Sequence, residues 1–278
     1  MSLVLRSLTT AADGPLSIEA DAITADRLAG LADAEIARLE LAADGRPCPL
    51  GELFSVAGSA ADGRVECEGD WSRVHRLAAG MQGGEILVRG DVGRHAAARM
   101  AGGRLVVEGR AGDWLAAGMS GGAVLVEGDA GDNVTAAVPG DDHGMTGGLV
   151  VVNGSVGCLA AARMRRGILG VGGSCGEAAA FELRAGTVVV GGQVGPRSGM
   201  GMRRGSLVAL AGVPPVPPTF ARGAAWSPNV LPLVVGRLSR AGFRPAGGPG
   251  AAMRGGVWQQ WHGDLLTGGR GEIFHRSA

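Results

Sequence analysis

Arg165, Arg184 and Arg203 stand nineteen residues apart, and Arg166 and Arg204 directly follow two of them. If the chain stacks with that period, the three guanidinium groups lie one above another at about 4.8 Å. They then repel by about 1 kcal/mol in water and roughly 3 kcal/mol in a surface-like dielectric. Two arrangements relieve the repulsion. The arginines splay into solvent or pair with acids of a neighbouring protein, or they form a cofactor-binding track for a polyanionic ligand.

Other reactive residue types do not assemble. His75, His95, His143, His262 and His275 scatter over different places in the repeat and read as surface or capping residues. Cys48, Cys67, Cys158 and Cys175 have no paired spacing, so reduced buried thiols are expected rather than a zinc site or a disulfide framework. No nucleophile elbow, Walker phosphate loop or HExxH helix is expected, and the many GxG patterns do not open helices. Asp141, Asp142 and His143 are metal-ligand types, but adjacent side chains in one turn do not converge on one ion, and a solvated turn is expected. No catalytic residue and no metal site follows from these patterns.

Composition narrows the class. Lys+Arg and Asp+Glu are both 26, which gives no electrostatic reason for a nucleic-acid or anionic-membrane partner. No basic start leads into an apolar run and a cleavage site, and no eighteen apolar residues run together, so a cytoplasmic protein is expected. The absence of lysine and the abundance of Ala and Gly suggest a GC-rich bacterial genome.

The 52 glycines lack collagen spacing and punctuate Val/Leu/Ile runs. Gly84, Gly103 and Gly122 are nineteen apart, and Gly148, Gly167, Gly186 and Gly205 resume the step after a seven-residue insertion. Further columns begin at Gly90 and Gly93. Such columns fit corners with positive φ or a close approach of two backbones. Between them stand strand-like runs such as EILVR, RLVVE and LVVVN, whose alternation points Ile86 and Val88, and their equivalents, inward. Met81, Met100, Met119, Met145, Met164, Leu183 and Met202 form a second inward file, which reads as core filling rather than a copper ladder. The outward centres Leu87, Val106, Leu125, Val151 and Val189 are also apolar, so that face should be covered by the chain itself or by a partner. The fold class is therefore mainly β: a parallel β-helix of about seven coils and about 19 residues per coil over 61–212.

Residues 1–60 lack the period and read as a small α/β cap, with a strand in LSIEA and a helix over ADAEIARLE. VPPVPPTF ends the repeat, and the aromatic extension over 213–278 is too apolar for a solvated linker. It should wrap along the β-helix or dock on another subunit.

Five stretches carry a resemblance: ITADRLAG at 23–30, Glu35-Ile36, PLGELFSVAG at 49–58, Gly263-Asp264 and GGRGEIF at 268–274. Over nearly its full length the chain resembles the family formed by the C subunits of formylmethanofuran dehydrogenase. That family's glycine-rich β-helix is itself similar to the C-terminal domain of the glutamate synthase large subunit, and the entry segment separates the two. The resemblance implies a structural role without catalytic residues. The family's bacterial members belong to a formyltransferase/hydrolase complex, which moves a formyl group from tetrahydromethanopterin to a methanofuran-type carrier and releases formate in formaldehyde oxidation. The implied partners are an amidohydrolase-like hydrolase, a formyltransferase and a pterin-subunit-like protein, and the implied cofactor is the carrier, whose glutamate-rich tail would suit the arginines. A molybdenum or tungsten pterin is implied only if the chain serves a formylmethanofuran dehydrogenase instead. A free-standing carbohydrate-binding β-helix would need aromatic columns on one face, which the sequence lacks.

Overall fold

A computed structural model describes residues 2–10, 13–248 and 256–276. Runs of β-branched residues too short to stand alone are joined into one parallel ladder: Glu85–Val88, Arg104–Val107, Ala123–Val126, Leu149–Val152, Ile168–Val171 and Thr187–Val190. Equivalent letters lie opposite one another. Ile86, Leu105, Val124, Val150, Leu169 and Val188 form one file, and Val107, Val126 and Val152 belong to the next. Both files are buried in one continuous core, together with the methionine file from Met81 to Met202. The result is mainly β, with a 13-stranded and mostly parallel sheet whose stacking is that of a solenoid.

A second line of bridges runs Trp71, Val92, Ala111, Ala130, Val156, Cys175 and Val194, one residue per turn of the chain. The remaining side consists of tight turns in which non-glycine residues take positive φ, such as His95 at 59°, Ala97 at 55° and Arg99 at 55°. Hydrogen bonds between coils offset that strain. The His95 N–H donates to the Asp113 carbonyl, that of Ala97 to Leu77 and that of Arg99 to Ala117, each at 2.8 Å.

The glycine columns divide by cause. The column opening each strand has positive φ, from 79° at Gly84 to 113° at Gly167. Glycines of the other two columns are required mainly by close approach: a Cβ on Gly112 would lie 2.7 Å from the Arg94 nitrogen, and one on Gly128 would lie 2.7 Å from the Gly109 carbonyl oxygen. A second ladder occupies the same corners. Asp91 accepts the Arg110 N–H at 2.7 Å, Asp113 that of Asp132 at 2.9 Å, Asp129 that of Ser155 at 2.8 Å and Asp132 that of Cys158 at 2.7 Å. Each carboxylate caps the coil above it and leaves no room there for a side chain.

Both flanks join the sheet. Leu3–Ser7 lies parallel to Arg64–Glu68 and antiparallel to Phe54–Ala57, covering the edge of the first coil. The strand expected in LSIEA is found at Ile18–Glu19, paired with Val74–His75 and Glu40–Ala43. The expected helix over 32–40 shrinks to one turn, Asp33–Ile36, because Glu40–Ala43 pairs antiparallel with Arg46–Pro49 in a hairpin whose turn residues Asp44 and Gly45 both take positive φ, and this hairpin outweighs helix propensity. Beyond the prolines, Gly271–Arg276 takes the next parallel place beside Gly205–Ala209, and Trp258–Gly263 and Ala221–Trp226 continue antiparallel. The extension thus wraps back on the stack, although its residues 249–255 and 277–278 lie outside those described. Its helix, Val230–Arg240, lies on the outward sheet face: Leu231, Leu238 and Phe243 pack with Leu125, Val151, Val189 and Val208. Among the described residues no helix is long and apolar enough to cross a membrane.

Candidate functional site: an arginine-lined corner

The arginine column grows out of the methionine file. Met164, Leu183 and Met202 are fully buried, and the next residue of each coil turns outward. The backbone there is stitched to the preceding coil: Arg165 N–H donates to the Met145 carbonyl at 2.9 Å, Arg184 to Met164 at 2.9 Å and Arg203 to Leu183 at 2.8 Å. Arg165, Arg166, Arg203 and Arg204 are exposed and Arg184 is half-buried, so the structure brings all five to one corner. Among the described residues none of them forms an ion pair, whereas nearby Arg163 pairs with Glu182 at 2.8 Å and Arg197 with Glu177.

One residue of this edge lies outside the nineteen-residue count. Gly271 pairs with Gly205, which sets Arg270 one rung beyond Arg204. Its signal is an Arg-Gly pair opening a strand, as in Arg166-Gly167 and Arg204-Gly205, displaced by the 66-residue detour of the C-terminal extension. The insertion also reaches this edge. Arg165 donates toward His143 Nε2 at 3.4 Å, while Asp141 pairs with Arg99 at 2.8 Å, so these neighbours in sequence point to different partners and the turn is tethered rather than freely solvated.

Elsewhere several of the reactive residue types serve the fold. His75 Nδ1 accepts the Arg94 N–H at 3.1 Å, a capping role, while His275 is buried within the sheet. Cys67 and Cys175 are buried, and desolvation raises the Cys67 thiol well above its usual range and Cys175 to about 12. Cys158 is exposed and Cys48 half-buried, contrary to the expectation for all four, since both lie outside the inward files. Gly172–Gly176 does spell GxSxG, contrary to the expectation that no such elbow is present. Ser174 there continues the capping ladder, accepting the Gln193 N–H at 2.9 Å, and no helix follows it, so the spacing carries no nucleophile. Among the described residues no group of three His, Cys, Asp or Glu is placed to hold a metal.

Comparison with known proteins decides the family. No protein-family model matches the chain. The C subunit of molybdenum-containing formylmethanofuran dehydrogenase 1 from Methanothermobacter thermautotrophicus is 38% identical over 87 residues, 31% of this chain and 22% of that protein. The C subunit of the formyltransferase/hydrolase complex Fhc from Methylorubrum extorquens is 36% identical over 90 residues, 32% of this chain and 34% of that protein. The match therefore spans about a fifth to a third of the length of these curated relatives. A chain in the crystal structure of the Methylorubrum extorquens formyltransferase/hydrolase complex with methylofuran aligns over 99% of this chain and 100% of its own length, at 32% identity and a TM-score of 0.87. The chain belongs to the family of formylmethanofuran dehydrogenase C subunits. In this member of the family the arginine corner repeats one side-chain type over three coils, and none of its five arginines forms an ion pair with a described residue.

Proposed function

We propose that this chain is the structural subunit of a formyltransferase/hydrolase complex that transfers a formyl group from tetrahydromethanopterin to a methanofuran-type carrier and hydrolyses it to formate. The single observation that carries this reading is the end-to-end likeness, at 32% identity, to a chain of a complex holding methylofuran. In this reading 61–212 is a parallel β-helix of about 19 residues per coil, of the glutamate synthase C-terminal type, between a cap at 1–60 and an extension at 213–278. It works in the cytoplasm and holds the hydrolase, formyltransferase and pterin-subunit-like partners.

The chain's own part in the reaction is to bind and orient. A carrier with an anionic tail, laid along Arg165, Arg184 and Arg203 with Arg166, Arg204 and Arg270 beside them, would relieve the repulsion within the file, and each planar guanidinium can take a carboxylate in two parallel hydrogen bonds. Changing Arg165, Arg184 and Arg203 together to Gln is expected to weaken carrier binding by at least about tenfold, steepest at low salt, while the complex still assembles. Unchanged affinity in a binding titration removes the track but leaves the structural role.

A second reading has its own support, because the relatives from Methanothermobacter and Methanosarcina are named as parts of molybdenum-containing dehydrogenases. Metal analysis of the chain purified with its native partners separates the two. A stoichiometric molybdenum or tungsten content overturns the formyltransferase/hydrolase assignment.

A further inference from the structure

The insertion at 137–145 interrupts an otherwise regular repeat, and its contacts point to a second site, on the turn side of the stack. The pair between Arg99 and Asp141, at 2.8 Å, folds the loop back toward the first coils. Val138 thereby helps to line a groove of about 370 Å3 floored by Ala79, Gly80 and Ala98 and bounded by Arg76 and His95. Asp21, from the N-terminal cap, lines it as well. An adjoining hollow of about 450 Å3 shares Asp21, Arg76 and His95 and adds Glu19 and Arg94. Two non-repeating segments thus converge on one stretch of an otherwise periodic surface.

The charges in the groove are unevenly satisfied. Arg94 has Glu19 at 3.7 Å and Arg99 has Asp141. Arg76 and Asp21, both exposed, face both hollows and form no ion pair with any described residue, so their charged atoms stand more than 4.0 Å apart. Between coils the His95 ring stacks on Trp114 with centroids 5.9 Å apart and planes 10° from parallel, which fixes a flat wall in the groove. Opposite charges that share a cavity without meeting leave room for a ligand with complementary groups at its two ends.

We propose that this groove binds a small carboxylic acid that also carries a hydrogen-bond donor, of the amino-acid or hydroxy-acid type. Arg76 takes the carboxylate, Asp21 accepts from the ammonium or hydroxyl, and His95 packs against the carbon skeleton. The site is separate from the arginine corner and does not depend on the function proposed above.

A matched series of probes tests it on the full chain: alanine, lactate, propionate and ethylammonium, followed by the imidazole resonances of His95 in nitrogen-15 NMR. Alanine or lactate is expected to shift His95 saturably, with propionate and ethylammonium at least about tenfold weaker. Arg76→Gln and Asp21→Asn are each expected to weaken the tighter ligand by about tenfold, with the thermal melt unchanged because both side chains are exposed. No shift with any of the four, propionate binding as tightly as lactate, or affinity indifferent to either substitution overturns the proposal.

Discussion

The outward face of the large sheet differs between its two halves although the letters are alike. Val151, Val189 and Val208 are fully buried beneath the helix Val230–Arg240 and Phe243, whereas the equivalent Leu87 and Val106, nearer the N-terminus, are only half-buried. The open half is edged by ion pairs instead: Arg89 lies 3.1 Å from Glu66 and 3.3 Å from Glu108, and Arg104 lies 3.4 Å from Glu85. The repeat therefore decides which side chains point inward, but the non-repeating tail decides which outward ones become core. Gly170, between Val151 and Val189 in the covered half, shows the tail's influence directly. It breaks the outward apolar column, and a Cβ there would meet Leu238 at 2.7 Å and Phe243 at 3.1 Å.

The sharpest way to break the contrast is to remove the cover. Leu238→Asp places a carboxylate at a fully buried position in the apolar cluster of Val151, Val189 and Phe243. Burying an unpaired charge is expected to cost more than about 3 kcal/mol or to detach the helix. Chemical denaturation reads the loss, and binding of an apolar dye reads newly exposed valines. A variant as stable as the parent, with no dye bound, would mean that the helix does not hold that face.

A smaller effect sharpens the comparison within a single column. Val151→Ala should cost about 2 kcal/mol through lost transfer energy and a cavity, while Leu87→Ala, which is larger in volume but half-exposed, should cost less than about 1 kcal/mol. Equal losses in the two unfolding curves would show that the halves are energetically alike in spite of their different burial.

These residues also show how far the sequence can be read. The inward files are legible because a period of nineteen and a strand period of two act together, so Val107, Val126 and Val152 can be aligned by counting. That the outward face needs a cover is legible from Leu125 and Val151, but not that the chain's own helix supplies it, since helix and sheet are joined by no repeat. The helix at Asp33–Ile36 is shorter than its apolar spacing implies, because from Glu40 onward the chain enters a hairpin with Arg46–Pro49 around Asp44-Gly45, both at positive φ, a competing turn signal that the helical spacing alone does not weigh. Five members of the arginine corner can be counted off, but Arg270 cannot, since it joins the edge only through the fold-back of Gly271–Arg276. The groove at Arg76 and Asp21 is invisible in the sequence for the same reason, being built from a cap and an insertion that meet only in space.

The smallest expected effect separates the halves by acid. His75 and His95 both sit in the open half, and burial pushes each below the usual 6.5, helped by Arg94 at His75 and by Arg76 at His95. The folded chain therefore resists taking these protons, while the unfolded chain accepts them as the pH falls past about 6.5. Their contribution to stability is complete above that value and declines as the pH drops from it toward the lower folded-state values. Both rings are partly exposed, so solvent screening keeps the change small. Protonation of His75 also removes the Nδ1 acceptor that holds the Arg94 N–H, which directs the loosening to the first two coils rather than to the covered strands. Denaturation midpoints across this range should slope more gently for His75→Asn combined with His95→Asn than for the parent. Identical slopes would place the acid response elsewhere, and a steeper slope in the double variant would reverse its sign.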